Sequence, residues 1–190
     1  DKAEDVVKYF VQFPHERLVD QGTKGATLLL HNGRQVDLRV QDAKSYGAML
    51  QYFTGSKHHN IHLRTYALER GKSLSEHGIK DVKTGTLTEY ANEKDFYHDL
   101  GLEWIPPEMR EDRGEIDAAI QTFQKKTPGL PRLLETKDIK GDLHMHTNYA
   151  FPTSHDLGQS HVHEHLDMAQ TLGYEYIGIS DHNPKVSDMT

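Results

Sequence analysis

The segment Thr127-Pro128-Gly129-Leu130-Pro131 constrains the fold of this chain more than any other feature of its sequence. Its two prolines and one glycine interrupt any regular element, because proline lacks a backbone donor and both residues favour turns. The pattern of apolar residues also changes across this segment. We therefore expect a domain boundary here, between two parts of different architecture.

Beyond the boundary the sequence predicts a single strand–helix–strand unit. Asp142 to His146 and Tyr174 to Ser180 are the expected strands, and Ser160 to Leu172 is the expected helix. This order implies a parallel sheet or barrel. One such unit encloses no core, so residues 141–190 are expected to be a truncated part of a larger domain, preceded by a linker at 127–140.

Before the boundary the clearest signal is a hairpin at Asn32-Gly33, because this pair between two apolar runs favours a tight turn. The flanking strands are Ala26 to Leu30 and Gln35 to Val40. Apolar residues of the second strand alternate onto one face, so Asp37 and Arg39 must point to the other. The other elements predicted in this part are helices over residues 2–13, 45–53, 59–70, 93–100 and 115–125, a strand pair over 74–82 and 84–88, and a rigid connector at Trp104-Ile105-Pro106-Pro107.

Charge is distributed unevenly along the chain. The net charge of -7 argues against a uniformly basic nucleic-acid binder, yet residues 1–72 hold 11 Lys/Arg against 8 Asp/Glu. Residues 141–190 hold 1 Lys/Arg against 7 Asp/Glu, together with 7 of the 14 histidines. Residues 1–72 are therefore suited to contact with a phosphate backbone, and residues 141–190 are suited to binding cations.

Composition excludes two classes of protein. The chain has no cysteines, which excludes disulfides and thiolate metal sites and allows a reducing compartment. No apolar run approaches the roughly 20 residues that a membrane helix needs, and the first residues do not have the layout of a signal peptide. We expect a cytoplasmic protein with no membrane partner.

Two clusters before the boundary carry candidate chemistry. A carboxylate such as Asp37 on the polar face of a sheet can hold a divalent cation, although a solvated Asp would give the same pattern. In Tyr52-Phe53-Thr54-Gly55-Ser56, the aromatic rings offer a flat surface and Gly55 permits close approach of the backbone to a ligand. Asn60 and Arg64 share one face of the helix that follows. A core aromatic pair beside an ordinary turn is the alternative.

Histidines beyond the boundary predict a metal site. His144 and His146 lie two residues apart on a strand, so their imidazoles face the same way and can chelate one ion, and His182 follows the next strand. Two surface clusters of histidines are the alternative. Two other groups of histidines are expected to be solvated. For His58, His59 and His62, contact with phosphate in the protonated form is the alternative. His161, His163 and His165 are expected to lie on a solvated helix face.

The part before the boundary closely resembles the family X DNA polymerases of bacteria and archaea. The resemblance is carried by Gly33-Arg34-Gln35-Val36-Asp37-Leu38-Arg39-Val40, by Tyr52-Phe53-Thr54-Gly55-Ser56, by His59-Asn60, Leu63-Arg64 and Ala67 to Gly71, and by Trp104 to Glu108 and Arg110 to Glu115. It implies an α+β fold, with the last part of a polymerase palm at residues 1–44 and the nucleotide-binding (thumb or fingers) subdomain at 45–126.

This resemblance also implies roles for particular residues. Tyr52, Phe53 and Gly55 are expected to lie against the sugar of an incoming dNTP. Asn60 is expected to contact the base edge of that nucleotide, and Arg64 to lie near the template strand of the DNA.

Asp37 would be the third catalytic carboxylate of the family, which holds Mg2+ or Mn2+ and helps to activate the primer 3′-hydroxyl. The Gly-Ser phosphate-binding motif and the paired Asp-x-Asp motif of the family are not found before residue 25. The isolated chain is therefore expected not to polymerise.

The part beyond the boundary resembles the opening of a polymerase-and-histidinol-phosphatase (PHP) domain, an α/β fold with a distorted β/α barrel. The matching segments are Gly141 to Thr147 and Leu172 to His182. The resemblance implies a site for Mn2+, Zn2+ or Fe2+, with metal roles for His144, His146 and His182. Ser154-His155-Asp156 occupies the place of a further ligand, for which Asp156 is preferred over His155. Later ligands of that domain would lie past residue 190, which leaves the site incomplete.

Together these observations predict part of a gap-filling repair polymerase with a 3′–5′ exonuclease or phosphoesterase domain. Its partners would be gapped or primer–template DNA and a dNTP, and it would act as a monomer at the bacterial nucleoid. A hydrolase of small phosphate esters on a degenerate polymerase scaffold is one alternative, against which the intact Asp37 and Tyr52–Ser56 motifs argue. A non-catalytic DNA-binding module is the other, with only a thin positive charge in its favour.

Overall fold

A computed structural model describes residues 2–149 and 157–182. The chain divides into two compact units, Asp1–Leu130 and Pro131–Thr190, and the division falls inside the Pro- and Gly-rich segment. Within the described ranges, no helix has both the length and the apolar character to cross a membrane.

The first unit opens with helix α1 (Lys2–Phe10) and an antiparallel sheet in the order β1 (Arg17–Gln21), β2 (Gly25–Leu29), β3 (Gln35–Arg39). β2 and β3 form the predicted hairpin. Leu29 pairs with Gln35, and the Leu30 amide donates to the Arg34 carbonyl at 2.8 Å. Gly33 turns the chain with φ of +78°, a conformation that glycine adopts without steric cost.

Helices and a second antiparallel sheet build the rest of the first unit. The predicted strand over residues 74–82 was wrong, because the chain reverses at Glu76-His77 and forms a hairpin of two strands. The elements are α2 (Tyr46–Thr54), α3 (Lys57–Leu68), β4 (Lys72–Ser75), β5 (Gly78–Asp81), β6 (Leu87–Thr88), α4 (Glu93–Asp99) and α5 (Glu115–Phe123), with short 3-10 turns at Ala43–Ser45 and Pro107–Met109.

The core of the first unit lies among these helices. Asn92 caps α4 as predicted, since its side chain accepts from the Asp95 amide at 2.9 Å. α3 begins two residues earlier than predicted, because Ser56 caps it by accepting from the His59 amide. The fully buried apolar side chains of this core include Leu63, Phe96, Tyr97, Leu102, Ile105 and Ile116.

The end of the first unit is held by Thr122 on α5. The Thr122 hydroxyl accepts from the Leu130 amide at 2.7 Å, and Leu130 packs against the core. Gly129 lies so close to Thr122 that a β-carbon on residue 129 would clash. Residues 127–130, which composition assigns to the linker, therefore pack with the first unit.

The second unit contains a 3-10 turn at Thr136–Asp138, then β7 (Gly141–Met145), α6 (Val162–Leu172) and β8 (Tyr176–Ile179). β7 and β8 pair in parallel, as the strand–helix–strand pattern predicts. Gly173 ends α6 in the left-handed conformation, with φ of +72°.

Candidate functional site

One surface cleft of about 420 Å³ lies between the end of α2 and the first turns of α3. It gathers every residue for which the sequence predicts a nucleotide or template contact, together with two that the sequence reasoning missed. The missed pair, Lys57 and Ile61, lies on the same helical face at intervals of three and four residues, which is the signal that could have found them. The lining residues are Tyr52, Phe53, Gly55, Lys57, Asn60, Ile61 and Arg64.

The floor of this cleft is shaped by the end of α2. The rings of Tyr52 and Phe53 meet edge to face with centroids 5.0 Å apart, and Phe53 is 51% exposed. Gly55 has φ of 76° and ψ of -156°, a backbone region that is essentially restricted to glycine. The next amide, of Ser56, donates to the Arg110 carbonyl at 3.0 Å, which ties the turn to the rest of the unit. An exposed ring and a bare backbone therefore lie side by side.

If the cleft binds the dNTP that the family resemblance implies, Gly55→Ala should weaken that binding about tenfold or more, because a β-carbon at this φ and ψ costs about 1–3 kcal/mol and displaces the turn. The measurement is the apparent Kd for dNTP in single-turnover gap filling. Gly71→Ala is the matched control: Gly71 also has a positive φ, of +72°, but lies away from the cleft. Gly71→Ala should lower stability by about 1–2 kcal/mol and leave the Kd unchanged. Equal effects of both variants on the Kd would contradict a local role for Gly55.

The Asn60 amide is held by two groups of α2. Its Nδ2 donates to the Tyr52 carbonyl at 2.8 Å, and its Oδ1 accepts from Gln51 Nε2 at 2.8 Å. Tyr52 belongs to the last turn of α2, where carbonyls lack partners within the helix. Gln51, which is only 4% exposed, was not among the residues predicted for the site.

A second polar cluster lies buried behind the cleft, around His59. The expectation that His59 is solvated was wrong: it is fully buried, whereas His58 and His62 are exposed as expected. His59 Nδ1 lies 2.7 Å from Glu115 Oε1, and its Nε2 lies 3.0 Å from the Tyr97 hydroxyl. Both ring nitrogens therefore have partners, which offsets the cost of burying the imidazole.

Protonation of this cluster follows from its burial. Burial lowers the pKa of His59 below its ordinary value, although the hydrogen bond that His59 donates to Glu115 opposes this shift. Burial alone would raise the pKa of Glu115. Hydrogen bonds from His59 and from the amides of Arg113 and Asp112 outweigh burial and lower that pKa. The cluster is therefore a neutral imidazole donating to an ionised carboxylate.

The first unit should lose stability as the pH falls from about 7 to 5. In the unfolded chain His59 titrates near its ordinary pKa of about 6.5, so below that pH the unfolded state binds the proton that folded His59 excludes. The loss is at most about 1.4 kcal/mol per pH unit. The fluorescence of Trp104, the one tryptophan of the chain, can follow the thermal midpoint. His59→Gln should flatten the pH dependence and His58→Gln should not; an unchanged slope in His59→Gln would contradict this assignment.

Arg110 forms a third buried group next to His59. Its Nη1 donates to Glu93 Oε1 at 2.7 Å and its Nε donates to the Ile105 carbonyl at 2.9 Å. Trp104 donates to the other oxygen of Glu93 at 3.0 Å, and the guanidinium lies 5.3 Å from the Tyr97 ring centre. Arg110 is fully buried, so this ion pair is shielded from solvent.

Asp37 lies on the exposed polar face of the first sheet, as predicted. Thr27 donates to its Oδ1 at 2.5 Å and Gln35 donates to its Oδ2 at 3.0 Å. The Thr27 hydroxyl, followed by the Gln35 amide, lowers the pKa of Asp37 below its ordinary value. The carboxylate is therefore ionised at neutral pH and offers hard oxygen atoms to a divalent cation.

In the second unit, three histidines meet near the ends of β7 and β8. The ring centres of His144 and His146 are 5.0 Å apart, and those of His146 and His182 are 4.8 Å apart in a stacked arrangement. His146 Nδ1 is buried and has no hydrogen-bond partner among the described residues. The rings are thus close together, although the described residues contain no group of three or more His, Cys, Asp or Glu arranged to hold a metal ion.

Other polar residues near these histidines form hydrogen bonds within the second unit. The expectation that His165 lies on a solvated face needs correction, because its Nε2 is 3.3 Å from the His146 carbonyl and it is partly buried. Asp181 accepts from the amide of Thr147 at 2.6 Å and from its hydroxyl at 2.7 Å. These bonds, from the hydroxyl and then the amide, lower the pKa of Asp181. Asp156 and His155 lie outside the described residues.

Comparison with known proteins identifies relatives of this chain. Residues 49–111 match the family model of the DNA polymerase beta thumb. The chain is 36% identical over 148 residues to the DNA polymerase/3′-5′ exonuclease PolX of Bacillus subtilis (strain 168), which covers 78% of this chain and 24% of that protein. It is 38% identical over 77 residues to the DNA-directed DNA/RNA polymerase mu of Homo sapiens, covering 40% of this chain and 16% of that protein.

Among solved structures, the Leishmania infantum polymerase beta in a ternary gap complex matches 56% of this chain and 49% of that chain, with 22% identity and a TM-score of 0.48. The chain thus spans a quarter or less of the length of the two curated relatives named above.

Proposed function

This chain belongs to the family X DNA polymerases of the bacterial type, and from that premise we propose that it supplies the nucleotide-binding part of a gap-filling DNA polymerase. The enzyme would transfer the nucleoside monophosphate of a dNTP to the 3′-hydroxyl of a primer on gapped or primer–template DNA and would release pyrophosphate. The observation that carries this proposal is the single cleft lined by Tyr52, Phe53, Gly55, Asn60 and Arg64. Polymerase is the activity named for the relatives from Bacillus subtilis and Homo sapiens.

The lining of the cleft suits a nucleotide. The half-exposed Phe53 ring offers an apolar face for a deoxyribose, and Gly55 allows the backbone to approach it without a side chain. The partly held Asn60 amide provides a hydrogen-bonding group for a base edge. Exposed Lys57 and Arg64 supply positive charge for phosphate and template.

Asp37 would hold Mg2+ or Mn2+ beside the primer end. Its ionised oxygen atoms fit such ions, which prefer carboxylates. The ions would supply neutralisation of phosphate charge, and Asp37 would accept the proton of the primer 3′-hydroxyl or orient it. Two-metal phosphoryl transfer needs further carboxylates, which we assign to parts of the protein outside this sequence.

We assign the second unit to a PHP phosphoesterase that removes 3′-terminal nucleotides. The parallel β7–β8 pair and the closeness of His144, His146 and His182 support this assignment, and so does the exonuclease in the name of the Bacillus subtilis relative. Imidazole nitrogens suit Zn2+ or Fe2+, and Mn2+ would favour the added carboxylate of Asp156. Asp156 would complete this side of the site.

The direct test is gap filling by the full-length product of the gene that encodes this chain. We expect addition of the templated dNTP to a one-nucleotide gap in the presence of Mg2+ and none in EDTA. DNA binding that ignores both Mg2+ and dNTP, with no incorporation, would instead favour a non-catalytic DNA-binding module. Hydrolysis of small phosphate esters without incorporation would favour the hydrolase alternative. We place the enzyme in the cytoplasm with the nucleoid DNA, as a monomer.

The two proposed activities should be separable by substitution. His144→Ala should lower release of 3′-terminal nucleotides from labelled DNA by at least about a hundredfold and leave gap filling within about twofold, because metal ligands of one unit do not act in the other. His163→Ala is the matched control, since His163 is an exposed histidine of α6 in the same unit. Retained nuclease activity in His144→Ala would contradict the assignment of this site.

A further inference from the structure

The orientation of the Asn60 amide can be deduced from its partners. A backbone carbonyl can only accept, so the Asn60 group that faces the Tyr52 carbonyl at 2.8 Å must be the NH2 group. The Asn60 Oδ1 then faces the other way, toward Gln51 at 2.8 Å, and Gln51 must present its own NH2 group there. The two contacts are therefore consistent with only one orientation of each amide.

Gln51 is in turn held from behind by the buried cluster. Burial raises the pKa of Tyr97, and the nearby Gln51 side chain acts in the opposite direction and lowers that pKa. His59 Nδ1 donates to the Glu115 carboxylate at 2.7 Å, so its Nε2 accepts from the Tyr97 hydroxyl at 3.0 Å. A neutral imidazole permits this sequence of donors.

Glu115 anchors the far end of this series. Its carboxylate accepts from the amides of Asp112 at 2.9 Å and Arg113 at 2.7 Å, at the start of α5. Gln51, Tyr97, His59 and Glu115 are each at least 90% buried, so water does not compete for these bonds. Both bonds run in one direction, from the Tyr97 hydroxyl through His59 to the Glu115 carboxylate.

From these contacts we propose that Gln51 is a positioning residue that holds the Asn60 amide with its NH2 group available to the base edge of the bound nucleotide. The inference rests on the proposed function of the cleft. The Tyr52 carbonyl uses one hydrogen of the Asn60 NH2 group, and the second hydrogen remains for a ligand. The minor-groove edge of each base presents an acceptor, N3 of a purine or O2 of a pyrimidine, so a donor held there serves all four nucleotides.

The hydrogen bond from Gln51 also disfavours the flipped orientation of the Asn60 amide. Without the hydrogen bond from Gln51, the Asn60 amide keeps one partner instead of two and gains rotational freedom. Base-edge binding should then weaken, while the sugar contacts of Tyr52, Phe53 and Gly55 persist. Gln51 does not line the cleft, so its effect must pass through Asn60.

The first arm of the test uses the 190-residue chain and needs no activity. The side-chain NH2 resonances of Asn60 are assigned by NMR, and their hydrogen exchange is measured in the unsubstituted chain and in Gln51→Met, which keeps the volume and removes the donor. We expect exchange to accelerate about tenfold or more. Gln121→Met, on α5 and outside the cleft lining, is the matched control and should change nothing. Unchanged exchange in Gln51→Met overturns the proposal.

The second arm uses gap filling by the full-length protein with dATP and 3-deaza-dATP, which lacks the N3 acceptor. The unsubstituted protein should bind the analogue about tenfold more weakly, the equivalent of one hydrogen bond. Gln51→Met should reduce this ratio toward one, as should Asn60→Ala, and the double variant should match Asn60→Ala. Gln51→Glu, which offers an acceptor to Oδ1, should behave like Gln51→Met.

The outcomes separate this inference from the function on which it rests. A merely structural role for Gln51 would weaken both nucleotides equally and preserve the tenfold ratio, which overturns the proposal. If the unsubstituted protein fills no gap, the proposed function fails. Because the inference about Gln51 concerns nucleotide binding, it fails together with the proposed function. The exchange measurement then reports only on the contact between the Gln51 and Asn60 amides.

Discussion

Asp37→Asn should lower nucleotide incorporation by the full-length protein by roughly a thousandfold, the order expected when a group that acts on a reacting proton is removed. The amide that replaces the carboxylate is neutral and a poor ligand for Mg2+. Because the hydrogen bonds from Thr27 and Gln35 keep the pKa of Asp37 low, the loss should be the same from pH 6 to pH 9. The measurement is single-turnover extension of a one-nucleotide gap at saturating dNTP.

Asp20→Asn is the matched control for this variant. Asp20 is also an exposed carboxylate of the first sheet. It lies on β1 and pairs with Thr27 of β2, whose other cross-strand partner is Asp37 of β3. We expect incorporation within about twofold of the unsubstituted enzyme. An equal loss of incorporation in both variants would mean that incorporation depends on the total negative charge of the sheet face. It would not then depend on the carboxylate of Asp37 in particular. Near-normal turnover in Asp37→Asn would remove it from the catalytic assignment.

Arg110→Ala should lower the free energy of unfolding of the first unit by about 3–5 kcal/mol, because it leaves the buried carboxylate of Glu93 without its cation. The loss includes the hydrogen bond to the Ile105 carbonyl and the packing of the guanidinium against the Tyr97 ring. Urea unfolding followed by the fluorescence of Trp104 measures it, since Trp104 also donates to Glu93.

Arg113→Ala provides the comparison, because Arg113 is an exposed arginine three residues further along the same loop. Its loss should be within about 0.5 kcal/mol, the usual range for surface substitutions. A similar value for Arg110→Ala would show that the buried pair contributes little. In that case Arg110→Met, which replaces charge by apolar volume, should be as stable as the unsubstituted chain.

The elements that sequence predicts well here are those with local signals. Asn32-Gly33 marks the β2–β3 hairpin, and Asn92 marks the start of α4, because turn and cap chemistry act within a few residues. β1 was missed because all five of its side chains are exposed, so no apolar alternation marks it. The reversal at Glu76-His77 was missed for a similar reason, since neither residue is a typical turn former.

The candidate site divides in the same way. The lining residues Tyr52, Phe53, Gly55, Asn60 and Arg64 lie within one short stretch, and their motif could be recognised without coordinates. The residues behind them could not, because their partners are distant in sequence. His59 meets Tyr97 across 38 positions and Glu115 across 56. Histidine is intermediate between the mostly buried and the mostly exposed residue types, so its identity alone did not reveal that His59 is buried.

The hydrogen bond between Thr122 and Leu130 has a practical consequence for anyone who wishes to produce the polymerase part separately. Ending an expression clone at residue 126, where composition suggests the boundary, would remove Leu130 from its place on the core and leave the Thr122 hydroxyl without that donor. A clone that ends at Leu130 keeps both. Isotope labelling, crystallisation and ligand screening of the cleft between α2 and α3 would then start from a protein less than three quarters of the present length.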